Sequence, residues 1–140
     1  MIDTNFSFIA VDDGELDRYV TQKFLERINK NFAIKTFQGA EQALEIIREN
    51  KVESTILPII ILLDMQMPQM SGFKFVEEFE ELPAEIQKKY VIVILTILSA
   101  TSNPGDISRI QTYNSVKCTV EKPLTKEKLY SLLSLATSGN

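Results

Sequence analysis

Apolar positions along the chain follow two alternating rhythms. Short runs rich in β-branched and aromatic residues occur at 6–11, 32–37, 59–63, 91–98 and 116–120, with the length and composition of strands. Between the first two, Leu16, Val20, Phe24 and Ile28 repeat every four residues, and Ala40, Leu44 and Ile47 follow a similar spacing after the second. Each set predicts a helix with one apolar stripe against a sheet. The third and fourth runs are almost wholly apolar, as central strands of a parallel sheet are when both faces are covered. Leu82-Pro83 breaks the acidic third helix. Asn103-Pro104-Gly105-Asp106 reads as the start of a fourth helix, with a capping side chain, a proline for the first turn and an acid for the positive helix end. Thr125 is placed to cap a last helix that carries Leu129, Leu132 and Leu133 inward. The order is about five βα units, an α/β fold.

At 140 residues the chain has room for one core, and residues 1–140 read as a single domain with nothing left over for an output domain. A composition of 44% hydrophobic and 24% charged residues is that of a globular protein. The net charge of −4 supplies no footprint for a polyanion, so no direct nucleic-acid partner is expected. The longest apolar runs, 56–63 and 91–98, are far too short to span a bilayer, and no basic segment precedes the first apolar residues. A soluble cytoplasmic protein without a membrane partner is the expectation. The single cysteine, Cys118, has no internal disulfide partner and reads as a small buried apolar side chain.

In an open parallel sheet, ligands bind beyond the carboxyl ends of the strands. At that edge the first strand ends in Asp12-Asp13, the third in Asp64, the fourth in Ser99 and the fifth in Glu121-Lys122-Pro123. Any one of these is weak evidence, since an Asp pair after a strand is often only a helix cap. Together they bring three carboxylates into one cleft, where a pair about 5 Å apart repels by roughly 3 kcal/mol at an effective dielectric near 20. A divalent cation removes that cost. Oxygen ligands with no His or Cys nearby suit a hard ion, and Mg²⁺ suits a site that also takes a phosphoryl group. A carboxylate can attack phosphorus to give an acyl phosphate, and Asp64, directly after an apolar strand and before a Pro68/Gly72 loop, is the candidate nucleophile. Lys122 is the one cation of the cluster, placed either to hold a phosphoryl oxygen or to pair with the acids.

These residues resemble a known family over nearly the whole chain. Val11-Asp12-Asp13, the segment Leu62-Leu63-Asp64-Met65-Gln66-Met67-Pro68-Gln69-Met70-Ser71-Gly72, and Lys122-Pro123 are similar in identity, order and spacing to the motifs of a CheY-type response-regulator receiver domain. The resemblance implies a flavodoxin/CheY-like (βα)5 fold, a doubly wound five-stranded parallel sheet of strand order 2-1-3-4-5. It implies Asp64 as phosphoacceptor, and Mg²⁺, with Mn²⁺ as substitute, held by Asp13, Asp64, the Gln66 backbone carbonyl and, through water, Asp12. Lys122 would contact the phosphoryl group, and the Lys122-Pro123 bond would be cis. For the family's hydroxyl residue the choice lies between Thr96 and Ser99. Counting back from the Asn103-Pro104 helix start puts Ser99 at the strand end and Thr96 inside the strand, so Ser99 is chosen, with Thr101 flanking the site as a modulator of phosphoryl lifetime. One departure stands out: the family's aromatic switch position, three before the lysine, is Thr119. Tyr113 is a candidate substitute ring, but the blander reading, a helix-end tyrosine packed on the surface, is preferred.

The chain has no histidine, so the phosphoryl group must come from a histidine kinase, a histidine phosphotransfer protein or a small acyl phosphate. The signal would leave through the fourth helix, fifth strand and fifth helix to an effector protein whose identity the sequence does not reveal. The protein would be a signalling phosphoacceptor and not an enzyme. Two rivals share the residues: a phosphorelay shuttle, and a receiver-like scaffold that is not phosphorylated. An aspartate-nucleophile phosphatase would need an acid where Gln66 stands. A flavin or nucleotide site would be repelled by Asp12-Asp13-Gly14-Glu15.

Overall fold

The structure is a computed structural model, and it describes residues 5–52, 56–65, 71–96 and 104–137. Five strands, β1 (Ser7–Val11), β2 (Ala33–Phe37), β3 (Ile59–Asp64), β4 (Tyr90–Thr96) and β5 (Val116–Glu121), form one parallel sheet in the order β2-β1-β3-β4-β5. The fold is therefore the expected one, down to the strand order. Around the sheet lie α1 (Glu15–Ile28), α2 (Ala40–Arg48), α3 (Gly72–Phe79), a single turn α4 (Ala84–Gln87), α5 (Pro104–Ile110) and α6 (Lys126–Ala136).

The almost wholly apolar third and fourth runs are central because each feeds two separate cores. Alternate residues of β3 point to opposite faces. Ile59, Ile61 and Leu63 pack with Leu44 and Ile47 of α2, Phe75, Val76 and Phe79 of α3, and Ile110 of α5. Ile60 and Leu62 pack with Leu25 of α1 and with Leu129, Leu132 and Leu133 of α6. The predicted cap of α6 is present: the Thr125 hydroxyl accepts from the Lys128 backbone N–H at 3.2 Å.

Three expectations are corrected. The stripe on α1 does not face the sheet along its length, because Leu16 and Val20 are 72% and 55% exposed while Leu25 is buried. A strict four-residue repeat drifts by about 40° per step on a 3.6-residue helix, so a stripe that is inward at Phe24 and Ile28 has rotated into solvent by Leu16. The acidic third helix ends at Phe79, and Pro83 caps the separate turn α4 instead of merely breaking a helix. Cys118 is only half-buried, at the edge strand β5, and burial pushes its thiol pKa up, opposed by the charge of Lys117. The helix start at Pro104 is observed, while its predicted cap Asn103 lies outside the described residues.

Candidate functional site

Strand register sets the site. β1 pairs with β3 so that Val11 lies opposite Leu63, which brings the next residues, Asp12 and Asp64, to the same edge of the sheet. The ladder continues one step past each strand: the backbone N–H of Asp12 donates to Phe37 O at 3.1 Å, Met65 N–H to Leu95 O at 2.9 Å and Lys122 N–H to Thr96 O at 2.7 Å. The acids and the lysine thus sit on backbone that the sheet holds. Asp12 and Asp64 are 6% and 8% exposed, and Asp13 is exposed.

One carboxylate oxygen from each of Asp12, Asp13 and Asp64 lies within 4.8 Å of the others. The Lys122 Nζ donates to Asp12 Oδ2 at 2.9 Å and lies 3.6 Å from Asp64 Oδ1 and 3.8 Å from Asp17 Oδ2. Burial pulls the pKa of this ammonium down, but the hydrogen bond to Asp12 and the charges of Asp64, Asp12 and Asp17 outweigh it and leave the pKa raised. Lys122 therefore stays charged at neutral pH. Asp12 is held further by the Gly14 N–H, which donates to Oδ1 at 2.9 Å, and by Arg18 Nη1, which donates to the Asp12 carbonyl at 2.8 Å. The Lys122-Pro123 bond is cis, as the resemblance implies.

Two glycines let backbone approach the site. A Cβ on Gly14 would come within 3.3 Å of Asp17 Oδ2 and 3.4 Å of Asp12 Oδ1. On Gly72, the first residue of α3, it would meet the Met65 Sδ at 3.2 Å and Met65 Cα at 3.4 Å, crowding the residue after Asp64.

Of the predicted site residues, the structure brings Asp12, Asp13, Asp64 and Lys122 together. Gln66, Ser99 and Thr101 lie outside the described residues. Thr96, read as interior to the strand, is the last described residue of β4: Asp64 pairs with Leu95, and Thr96 pairs with Glu121 just before the lysine. Its hydroxyl is buried with no hydrogen-bond partner among the described residues. Thr119 is occupied, since its hydroxyl accepts from Gln111 Nε2 at 3.1 Å. The Tyr113 hydroxyl donates to Glu77 at 2.9 Å, tying the end of α5 to α3, the packed helix-end tyrosine of the blander reading. The sequence reading missed Asp17 and Arg18. Their signal was their place at the start of α1, the helix that follows the acidic pair.

The response regulator receiver domain model matches residues 8–134. The chain belongs to this family. Over 131 residues this receiver domain is 28% identical to a peroxide stress-activated histidine kinase of Schizosaccharomyces pombe, covering 94% of the chain and 8% of the kinase. It is likewise 28% identical over 125 residues to an autoinducer 1 sensor kinase/phosphatase of Vibrio campbellii, covering 89% of the chain and 13% of that protein. The chain thus spans about a tenth of the length of these relatives. Among solved structures it resembles a response regulator receiver protein of Dyadobacter fermentans, with TM-score 0.78, 27% identity, and 92% and 95% of the two chains covered. It shares the fold of the receiver domain of a Pseudomonas aeruginosa sensor histidine kinase, solved with a magnesium ion in its active site cleft, at TM-score 0.72, 16% identity, and 97% and 100% coverage. Receiver domains are signalling phosphoacceptors of two-component systems, not enzymes of the usual kind. Among the described residues no helix is long and apolar enough to cross a membrane.

Proposed function

We propose that this receiver domain accepts a phosphoryl group on Asp64 from a histidine kinase or histidine phosphotransfer protein, and that the adduct switches a protein-binding surface. The observation that carries this reading is the convergence of three acid oxygens within 4.8 Å around a lysine that reaches two of them. Nothing in the packing requires it, and like charges this close oppose folding unless a cation or a phosphoryl chemistry uses them.

The donor set fits a hard divalent ion. Asp12, Asp13 and Asp64 supply only oxygens, two of the acids are nearly buried, and one lysine does not balance three carboxylates. Mg²⁺, or Mn²⁺ in its place, would be held by Asp13 and Asp64, by the Gln66 carbonyl and, through water, by Asp12. When bound, the metal neutralises charge on the transferring phosphoryl oxygens.

The chain's own part is positioning. An Asp64 carboxylate oxygen forms the bond to phosphorus as the bond from phosphorus to the donor imidazole nitrogen breaks, and that nitrogen keeps the electron pair. No proton has to leave Asp64, which is nucleophilic as the carboxylate. Lys122, on backbone tied to Thr96, contacts a phosphoryl oxygen of the adduct. Presented with a phosphohistidine donor labelled on phosphorus, the protein should take up the label in a form that hydroxylamine removes. Label retained wholly by the donor counts against the reading.

For the hydroxyl that responds to the phosphoryl group, Thr96 is a second candidate beside Ser99, which lies outside the described residues. Thr96 is at the strand edge, buried and without a partner among the described residues, so a new anion acceptor would satisfy it. Thr96→Ala should still form the adduct but lose most of the backbone NMR shift changes that phosphorylation causes in β4 and α5. Retention of those changes in Thr96→Ala and their loss in Ser99→Ala would return the role to Ser99.

A further inference from the structure

Lys122 has a third acidic neighbour outside the set that fits the metal. Asp17 stands in the first turn of α1, 60% exposed over its side chain, with Oδ2 at 3.8 Å from the Lys122 Nζ. Gly14 leaves room for that approach, since a Cβ there would lie 3.3 Å from Asp17 Oδ2. The neighbouring Arg18 is turned to the Asp12 carbonyl, 2.8 Å away. Asp17 therefore offers the ammonium a partner on the α1 side, and it places an exposed negative charge on the rim of the site, 3.8 Å from the lysine that also reaches Asp64.

We propose that Asp17 is a positioning and specificity-determining residue that slows phosphoryl capture from small anionic donors, by holding Lys122 on the α1 side and by repelling the donor. The proposal rests on the receiver reading above. A small acyl phosphate arrives as a free anion and meets the rim charge unaided, whereas a protein donor covers the rim and can bring its own cations to it. Such an effect is electrostatic, so it must fade as salt shortens the screening length from about 10 Å at 0.1 M to about 3 Å at 1 M.

The test measures the rate of adduct formation from acetyl phosphate at saturating Mg²⁺ for wild type, Asp17→Asn, Asp17→Glu, Asp64→Asn and Glu26→Gln, a charge control farther along α1. In this step the Asp64 oxygen bonds to phosphorus as acetate leaves with the electron pair. Asp17→Asn should be about 3- to 10-fold faster at low ionic strength, mainly in the second-order rate constant, and nearly equal to wild type near 1 M salt. Asp17→Glu should return to the wild-type rate, and Glu26→Gln should not differ from it. A second readout needs neither donor nor metal: the Lys122 side-chain NMR signal, identified by its loss in Lys122→Arg, should shift in metal-free Asp17→Asn. An Asp17→Asn rate equal to or below wild type at low salt, a gain that survives high salt, or an unmoved Lys122 signal overturns the proposal. If wild type takes no phosphoryl group, the receiver reading fails with it. If wild type reacts, Asp64→Asn does not, and Asp17→Asn is unchanged, only the role of Asp17 falls.

Discussion

Lys122→Met should destabilise the metal-free protein by about 2 to 4 kcal/mol, although methionine fills much of the same space. Removing one member of a buried ion pair typically costs 3–5 kcal/mol because the partner's charge is left uncompensated, and the cleft here is open enough to water to reduce that. Asp12 and Asp64 lie 2.9 and 3.6 Å from the ammonium, with side chains only 9% and 12% exposed. Urea denaturation of the two proteins without metal measures the difference. The pH dependence follows from the raised pKa of Lys122. A group whose folded pKa lies above its unfolded value stabilises fully below the unfolded value, near 10.5, and loses that contribution as pH rises through the folded one. The gap between wild type and variant should therefore hold from neutral pH to about pH 9 and close only above the ordinary lysine range. A gap that closes near pH 7 would mean that the lysine does not carry its charge at this site.

Phe75→Ala should cost still more, about 3–5 kcal/mol, the usual range for a large aromatic side chain deleted from a core. Phe75 is fully buried between α3 and the sheet, in the same cluster as Ile61, Leu63 and Phe79. A loss of that size is a large fraction of the stability of an ordinary domain. It should appear as a lower denaturation midpoint with an unchanged slope. A cost below about 1 kcal/mol would show that α3 is not packed as described.

The fold was legible because its signals are local and consistent. Two almost wholly apolar runs mark the buried strands, and signals at Leu82-Pro83 and Thr125 punctuate the helices. The acidic site was legible for the same reason: Asp12 and Asp64 each come at the end of an apolar strand and Lys122 directly after the fifth strand, so a parallel sheet brings them to one edge without knowledge of loops. What the sequence hid depends on register and rotation. The run at 91–98 contains a single polar residue, Thr96, and counting back from Pro104 reaches Ser99, while the pairing of Asp64 with Leu95 reaches Thr96. Residues 97–103, between the two counts, lie outside the described residues. The exposed half of α1 was hidden likewise, because Leu16 and Val20 keep the repeat while the helix turns them away from the sheet. Asp17 looked like an ordinary acid in a first helical turn, and only its distance to Lys122 distinguishes it.

The most direct test of the central claim is the intact mass of the protein after incubation with acetyl phosphate, with and without Mg²⁺, for wild type and Asp64→Asn. A phosphoryl acceptor at Asp64 predicts one added phosphoryl mass in wild type, dependent on Mg²⁺ and absent from Asp64→Asn. A wild type that gains no mass in Mg²⁺, or an Asp64→Asn protein that gains the same mass, would contradict it.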